Sequence, residues 1–465
     1  MERVDVAIVG GGPAGSSAAH AAASGGADAL VCEKGVPRDD REGIGPDSTD
    51  AAGILDYWVD IMGIHPDEFP DGVVQRTLDR AEFRGPNAEA TLYGTGIDSS
   101  YEEFGYTFHR ARFDDWLRER AEDAGAGYRV GASVKDVETD LSEGPRTNRP
   151  RHVLTLASSE TVGADFLILA DGPQRTVTNR VLDRYLPEGR KASERLASRK
   201  VNHIAYQEYR RFPEEAFEDV DSSIRFWWGV MPGHTAYPWV FPNDDRVCRV
   251  GLTMPIGIDI DEVESREEYR LLRPDDETIP GGSEYIRRLL EWQYGDDYDV
   301  ESAFPLVDGH GKRDGTETYA ISSTRPIESP VEAGIAVAGG AMGSTSAFHE
   351  GGDHVAVRTG AIAGELAAQG DLSPYNDRWR DAIGEEVLRN LTMAELVRGY
   401  TPSDWDRVIG CADAMLAAES GRGLIESTYT AGWQAIKMVI AYRWQKRKLR
   451  GSYAQLTADE YRYPS

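Results

Sequence analysis

The chain has little lysine and a large deficit of positive charge. Its 465 residues carry 79 Asp and Glu against 51 Lys and Arg, a formal net charge of −28, and only 8 of the basic residues are lysines. A surface of that sign repels phosphate, which excludes general nucleic-acid binding. Excess acid with little lysine predicts a protein adapted to concentrated salt, where repulsion is screened beyond about 3 Å. An ordinary acidic protein is the alternative.

Cysteine and long hydrophobic runs are also scarce. Cys32, Cys248 and Cys411 are far apart, so they predict neither a disulfide framework nor a metal site, and they indicate a reducing compartment. No apolar run approaches the about 20 residues that a membrane-spanning helix needs. A strand over 4–9 leaves no room for a signal peptide. We therefore expect a cytoplasmic protein, with membrane-surface contact as the alternative.

A glycine-rich turn follows the first predicted strand. Residues 4–9 read as a buried parallel strand, and Gly10-x-Gly12-x-x-Gly15 leads from it into an alanine-rich helix that includes Ala14. The first glycine permits a tight turn, the second lets a pyrophosphate approach the backbone, and the third lets the helix pack on the strand. Amide groups at the helix start then hold the phosphate.

Glu33 ends the second predicted strand, 18 residues after Gly15. A carboxylate there accepts hydrogen bonds from a ribose diol and disfavours a 2′-phosphate. The pattern therefore predicts a dinucleotide site for FAD or NAD rather than NADP. A glycine-rich turn in an unrelated α/β fold is the alternative.

Three later segments carry a resemblance to a known family. They are His109-Arg110-Ala111-Arg112-Phe113-Asp114-x-x-Leu117, then Ala170-Asp171-Gly172, and finally Val337-Ala338-Gly339-Gly340-Ala341-Met342-Gly343 with Glu350-Gly351-Gly352. With the first turn, they resemble the geranylgeranyl reductases, within the FAD superfamily of the p-hydroxybenzoate hydroxylase type.

The resemblance implies FAD as cofactor and a mixed α/β fold. We expect a Rossmann-like FAD-binding domain, an antiparallel substrate domain and a helical C-terminal segment. The FAD domain is expected from 1–72, 105–180 and 325–370, the substrate domain from 73–104 and 181–324, and the helical segment from 371–465. Further cofactor contacts are implied for Arg110, Asp171, Gly172, Gly339, Gly340 and Gly343.

An aromatic strand carries the resemblance to the reductase branch. Tyr237-Pro238-Trp239-Val240-Phe241-Pro242 is similar to the Tyr-x-Trp-x-Phe-Pro motif of geranylgeranyl reductases. Alternate residues of a strand face one way, so Tyr237, Trp239 and Phe241 would form one wall against an isoprenoid chain. A core strand is the alternative. The neighbouring run 226–228 is interpreted mainly as core.

Two positions depart from the family pattern. Gly340 stands where the family has an Asp that binds the ribityl chain of the flavin, so one charge-assisted hydrogen bond, worth about 1.5–3 kcal/mol, is missing. Glu42 stands where the family often has a Cys in a Cys-Gly-x-Gly run. It is a candidate for a catalytic role.

His349 is the other catalytic candidate. It lies in the turn that the resemblance places against the flavin ring, where an imidazole could donate a proton or bind substrate. A histidine that hydrogen-bonds the local backbone is the alternative.

The C-terminal tail reverses the charge of the rest of the chain. Residues 437–450 contain six basic residues and no acid. Ile436, Val439, Ile440 and Trp444 fall on related faces of a predicted helix, which favours contact of 433–450 with anionic lipid. A helix docked on the acidic body by charge pairing is the alternative.

These observations favour a flavin-dependent reductase of isoprenoid C=C bonds in membrane ether lipids or quinones. The external electron donor would be NAD(P)H or a ferredoxin. A flavin monooxygenase or halogenase is one alternative, although the Trp-x-Trp-x-Ile-Pro motif of halogenases is not found. A degenerate flavin fold that binds a lipid or a partner without catalysis is another.

Overall fold

The structure is a computed structural model that describes residues 1–36, 52–144, 147–196, 202–311, 313–322, 325–419 and 427–463. The strands in these ranges are β1 Glu2–Val9, β2 Ala29–Cys32, β3 Gly53–Leu55, β4 Val74–Leu78, β5 Arg80–Arg84, β6 Glu89–Leu92, β7 Gly105–Phe108, β8 Gly127–Arg129, β9 Val134–Thr139, β10 His152–Leu156, β11 Thr161–Leu169, β12 Asn202–Arg211, β13 Ser223–Trp227, β14 Tyr237–Pro242, β15 Val247–Pro255, β16 Thr316–Ser322 and β17 Ile335–Val337.

The helices of the described ranges alternate with these strands and then form the C-terminal part. They are α1 Pro13–Ser24, α2 Asp56–Met62, α3 Arg110–Asp123, α4 Thr176–Leu182, α5 Ala192–Arg195, α6 Glu214–Glu218, α7 Gly282–Tyr294, α8 Val300–Ala303, α9 Asp353–Ala368, α10 Tyr375–Leu396, α11 Pro402–Glu419 and α12 Ser427–Leu449. The mixed α/β fold class is therefore as predicted.

The first sheet gathers strands from distant parts of the chain. Its order is β8-β2-β1-β11-β10-β9, with β17 paired to β11. β1 is parallel to β2 and β11, and β17 is parallel to β11. Val6, Ala7 and Ile8 are fully buried because a parallel strand between two neighbours is covered on both faces.

The second sheet has the order β16-β12-β15-β14-β13-β5-β6. Its neighbours pair antiparallel except β13 and β5, which are parallel. A small third sheet, β3-β7-β4, completes the β structure that the described ranges contain. Its strand β3 pairs with β7 and leads directly into α2, which begins at Asp56.

The C-terminal part is helical, as expected. α10 packs on α9, and α12 contacts both α10 and α11. None of the helices in the described part of the chain combines the length and the apolar content needed to cross a bilayer.

Helices α1 and α9 approach each other at backbone distance. A Cβ atom on Gly360 would lie 1.9 Å from the Ala14 carbonyl oxygen, and one on Gly364 would lie 2.1 Å from the Ala18 oxygen. Real Cβ atoms never come that close, so only glycine fits at these two positions of α9. This contact fixes α9, and the segment that precedes it, against the glycine-rich turn.

We expect Gly360→Ala to destabilise the protein by about 3 kcal/mol, because the new methyl group meets backbone that can only move away with its helix. The measurement is the free energy of unfolding in urea. Gly410→Ala is the matched control, since Gly410 lies in α11 with open space around it and alanine favours a helix by up to about 1 kcal/mol. Equal stability of the two variants would contradict this assignment.

Candidate functional site

The glycine-rich turn meets the end of β11. Gly10 has a φ of +99°, and a Cβ atom on it would lie 2.3 Å from the Ala170 carbonyl oxygen. A Cβ on Gly15 would lie 1.8 Å from the Gly10 oxygen. Glycine is therefore required at both positions, for the tight turn and for the close packing of helix on strand. Asp171 stands directly beside this turn.

The middle glycine borders open space. Among the residues that the structure describes, a Cβ on Gly12 would meet no atom within 4 Å, and the side chain of the N-cap residue of α1 makes no capping hydrogen bond. The first amide groups of a helix have no partners within the helix and attract anions. The space at Gly12 is therefore suited to a pyrophosphate group.

The Glu33 carboxylate reaches the same turn. It accepts a hydrogen bond from the Gly11 amide at 2.6 Å and another from the Gly35 amide at 2.6 Å. These bonds hold the carboxylate at the end of β2, next to the turn, where the sequence predicted an acceptor for a ribose diol.

The third glycine segment packs against the first. A Cβ on Gly339 would lie 2.7 Å from the Ala14 Cβ, and the Gly339 amide donates to the Thr359 hydroxyl in α9 at 3.0 Å. Gly343 has a φ of +81°. The structure therefore brings the segment 339–343 and the turn 10–15 together, as the resemblance implied.

The family Asp that is missing at Gly340 would be crowded here. A Cβ at this position would lie 3.1 Å from the Pro173 Cδ. The fully buried Arg175 lies nearby, and its guanidinium donates to the Ala341 and Gly340 carbonyl oxygens at 2.8 and 3.3 Å. Burial lowers the pKa of Arg175 to about 10. Nothing in the sequence marked Arg175 as part of this region.

The Asp171 carboxylate forms hydrogen bonds within the protein. It accepts hydrogen bonds from the amides of Val177 and Thr178, at 2.6 and 3.1 Å, and from the Thr178 hydroxyl. Burial raises its pKa above the ordinary value. Asp171 thus caps α4, and Gly172, with a φ of +70°, makes the turn between them.

Arg110 links the starts of two helices. Its guanidinium pairs with Asp114 at 2.7 Å and with Asp353, the first residue of α9, at 2.9 Å. Burial opposes its charge, but the two carboxylates outweigh burial and raise the pKa of Arg110. Burial also raises the pKa of Asp114 to about 7. Arg110 therefore positions the start of α9.

The aromatic strand β14 forms one face of a buried cluster. Tyr237, Trp239 and Phe241 are all buried, and Trp239 lies across Gly251, where a Cβ atom would be 2.5 Å from its ring. The indole NH of Trp239 has no hydrogen-bond partner in the part of the chain described. The three rings therefore share one face of β14, and they lie inside a hydrophobic cluster, as the alternative of a core strand describes.

The run 226–228 divides between two clusters. Phe226 and Trp228 join the wall, with ring centroids 5.7 and 5.0 Å from the Tyr237 ring. Trp227 points to the other side and packs in the core of the second sheet. Trp227 and Trp228 are both buried in hydrophobic clusters, so the interpretation as core is right for both, and Phe226 is partly buried against the cluster that holds Trp228. The two clusters lie on opposite faces because side chains alternate across a strand.

His349 connects the third segment to the wall. Its carbonyl oxygen accepts a hydrogen bond from the Tyr237 hydroxyl at 2.5 Å, and its Nδ1 accepts one from the Gly351 amide at 3.2 Å. The ring stacks on Trp58 at 4.7 Å. Burial, and then His354, lower the pKa of His349 to about 3, so the ring is neutral. The hydrogen bond from the Gly351 amide is the local backbone contact that the alternative interpretation of His349 predicted.

Glu350 follows His349 and was not singled out as a site residue. Its side chain is buried, accepts a hydrogen bond from the Thr253 hydroxyl, and lies 3.5 Å from His203 Nδ1. The only signal was its place in the Glu350-Gly351-Gly352 turn, since Thr253 and His203 come from two strands of another sheet. Glu42, the other catalytic candidate, lies outside the described residues.

The residues present fit an FAD. The open space at Gly12 suits the pyrophosphate, Glu33 suits the ribose, and the segment 339–352 leads from the turn to the aromatic wall. These residues would hold the pyrophosphate and a ribose of the cofactor, and its flavin would supply the redox chemistry.

Comparison with known proteins gives relatives over most of the chain. Digeranylgeranylglycerophospholipid reductase 2 of Methanothermobacter thermautotrophicus is 26% identical over 420 residues, 88% of this chain and 91% of the relative. Digeranylgeranylglycerophospholipid reductase 2 of Methanopyrus kandleri is 28% identical over 403 residues, 82% of this chain and 83% of the relative. No family model matches the chain.

Solved structures share the fold. A geranylgeranyl bacteriochlorophyll reductase-like protein from Thermoplasma acidophilum superposes with a TM-score of 0.66 at 20% identity, covering 97% of this chain and 99% of that one. A flavin-dependent brominase superposes with a TM-score of 0.55 at 19% identity, covering 89% and 90%. The fold is therefore that of FAD proteins of the p-hydroxybenzoate hydroxylase type. Within this class, the similarity in sequence is to the geranylgeranyl reductases, which confirms the predicted resemblance.

We expect Arg110→Gln to destabilise the protein by about 3 kcal/mol, because Asp114 and Asp353 would be left without their shared cation. Chemical unfolding measures the effect. The control is Arg407→Gln, since Arg407 is 55% exposed in its pair with Asp404 and such pairs contribute about 0–1 kcal/mol. A change at Arg110 no larger than the control would show that the pair does not hold α9.

Proposed function

We propose that this protein is an FAD-dependent reductase of isoprenoid C=C bonds, acting on geranylgeranyl or polyprenyl chains of membrane ether lipids or quinones. The contact that supports this most is the hydrogen bond from the Tyr237 hydroxyl to the His349 carbonyl oxygen. It joins the aromatic wall to the segment that follows the third glycine turn. An apolar chain on the wall would then lie beside the cofactor.

In this proposal the protein binds the cofactor and the substrate and positions them relative to each other. The turn 10–15 and Glu33 would hold the cofactor, while the wall would hold an apolar substrate that has no polar group along its length. When bound, a reduced flavin supplies the hydride that reduction of a C=C bond needs, and an external donor, NAD(P)H or a ferredoxin, would reduce it again.

The reductase is favoured over a monooxygenase or halogenase. The relatives that align over most of the chain are named reductases, whereas the brominase shares the fold at 19% identity. A non-catalytic lipid-binding protein is the remaining alternative, and an experiment on cofactor content separates it.

The purified protein is expected to show flavin absorption, or to gain it with added FAD, and to reduce a geranylgeranyl lipid when dithionite supplies electrons. Trp239→Leu should raise KM for the lipid about tenfold with a smaller change in kcat, because the wall contacts are made equally before and during reaction. Trp292→Leu, on α7 outside the aromatic cluster, is the control. No flavin under any condition would contradict the proposal.

We also propose that helix α12 holds the protein against anionic lipid. Ile436, Ile440 and Trp444 recur at every fourth residue, so they share one face, and they are 50%, 62% and 65% exposed. Arg443 and Arg447 are exposed beside them. A row of exposed apolar residues flanked by arginine fits the boundary between lipid headgroups and acyl chains.

The opposite side of α12 docks on the body. Lys446 pairs with Glu385 of α10 at 2.8 Å, and Arg450 lies 3.5 Å from the same carboxylate. The charge pairing of the alternative interpretation therefore occurs, but on one face. The face with Ile440 and Trp444 points away from these contacts.

A flotation assay with vesicles of phosphatidylcholine and phosphatidylglycerol tests this face. The double variant Ile440→Glu/Trp444→Glu is expected to lose at least tenfold in vesicle partition, since charges replace the apolar row. Ile256→Glu, which replaces a similarly exposed apolar residue (57%) elsewhere, should bind like the parent. Unchanged binding of the double variant would refute the proposal.

A further inference from the structure

A buried cluster of three polar side chains, one of which carries a carboxyl group, lies between the third glycine segment and the second sheet. Glu350 contributes the carboxyl group, Thr253 of β15 donates its hydroxyl to one oxygen, and His203 of β12 lies 3.5 Å from the other. Only 2% of the Glu350 side chain is exposed. Thr253 pairs with Tyr237 across the sheet, so this cluster adjoins the aromatic wall.

The cluster holds a proton at neutral pH. Burial raises the pKa of Glu350 to about 8, although the Thr253 hydroxyl opposes this shift. Burial, and then His234, lower the pKa of His203 to about 4. At pH 7 the carboxyl group is therefore mostly protonated and the imidazole neutral. The Oε1 of Glu350 makes no hydrogen bond among the described residues.

The backbone at Glu350 is strained. Its φ of +58° lies in the left-handed region, which is unfavourable for a residue with a side chain and open to glycine without strain. A buried carboxyl group without a cation adds to that cost. Stability alone would favour glycine here, and such outliers occur where a function requires them.

We propose that Glu350 is the general acid of the site: it gives the proton that completes reduction of the C=C bond, and His203 returns a proton to it. This inference rests on the proposed function, because it assigns one step of that reaction. Its geometric basis is the position of the carboxyl group between the cofactor segment and the aromatic wall.

The step balances with a hydride from a reduced flavin. One alkene carbon receives the hydride and its electron pair, and the π electrons form a C–H bond to the proton at the other carbon. The O–H bond of Glu350 breaks, and its electron pair stays on the carboxylate. A proton from solvent then restores the acid.

A route for that proton leads toward the surface. His203 Nε2 lies 2.8 Å from the Thr235 hydroxyl, and the partly exposed His234 lies next in the chain, with its ring 5.7 Å from that of His203. Hydroxyl and imidazole groups both donate and accept protons, so the partly exposed His234 marks the side from which a proton from solvent would reach His203 and Glu350.

Within the described part of the chain, the titratable groups around Glu350 include no cation that pairs with it. His203 of β12, His234 of the adjoining loop and His349 of its own turn all have a lowered pKa, with burial as the largest cause. Tyr237 of β14 has a raised pKa because of burial and of Glu350 itself. Each of these groups is neutral at pH 7, so none holds Glu350 as a carboxylate.

The activity test compares Glu350→Gln with the parent. The amide keeps the size of the side chain but has no acidic proton, and general acids contribute about 10²–10⁴-fold. In a single turnover, oxidation of the bound flavin by a geranylgeranyl lipid should slow at least a hundredfold, while its reduction by dithionite stays unchanged. The control is Glu317→Gln, which replaces a buried carboxyl group of β16, in the sheet that also contains Thr253 and His203. This variant should react like the parent.

A stability measurement needs neither cofactor nor substrate. In the unfolded chain Glu350 ionises near its ordinary pKa of about 4.3, whereas in the folded protein it keeps its proton to about pH 8. The folded state therefore binds the extra proton between these values, and the parent loses stability relative to Glu350→Gln as pH rises from 5 to 9. The difference between their urea midpoints should grow over that range and level off above pH 8.

A second variant separates catalysis from support of the fold. Glu350→Gly relieves the backbone and removes the buried acid, so it should be as stable as the parent at pH 8 and as slow as Glu350→Gln. Full activity of either variant, a pH-independent stability difference, or marked destabilisation of both would overturn the inference. If the parent itself reduced no prenyl lipid, the proposed function would fail, and the stability comparison would still report the proton on Glu350.

Discussion

The contact between α1 and α9 is the constraint on which the site depends. Gly360 and Gly364 bring the backbone of α9 against the carbonyl oxygens of Ala14 and Ala18, a distance that no other residue permits. The segment before α9 is thereby fixed beside the turn that starts α1. Two glycine segments more than three hundred residues apart in the chain then form one surface. The strand β17, which directly precedes the second of these segments, pairs with β11 in the first sheet.

The same segment then connects the cofactor region with the aromatic wall. Arg110 holds the start of α9 through Asp353, and Tyr237 binds the backbone of His349. These two contacts come from different elements, α3 and β14, so they restrain the segment before α9 at two points. Position of this kind, more than any single reactive group, is what a protein contributes to flavin chemistry.

Motifs that depend on local geometry were predictable. The turn 10–15 and Glu33 follow from the steric needs of a tight turn and a strand end, and β14 from its alternating aromatic residues. Alternation along a strand places Trp227 and Trp228 on opposite faces, but which cluster each face meets depends on where β13 lies in its sheet, and local sequence does not specify that. His203 and Thr253 escaped notice for a related reason, since polar residues on two strands gain meaning only when register places them against Glu350.

The sequence by itself determined the glycine-rich turn and the positive charge of 437–450, because each depends on residues within a short stretch of chain. It indicated the type of fold through the resemblance of separated segments, and the net acidic charge follows from composition. Tertiary structure alone decided that Arg175 lies beside Gly340, that Asp171 caps a helix, and that Glu350 is buried where none of the described residues supplies a cation. Burial and partner identity are properties of the assembled core. Burial and the identity of the neighbouring groups determine the charge of a carboxyl group, and neither can be inferred from the sequence around it.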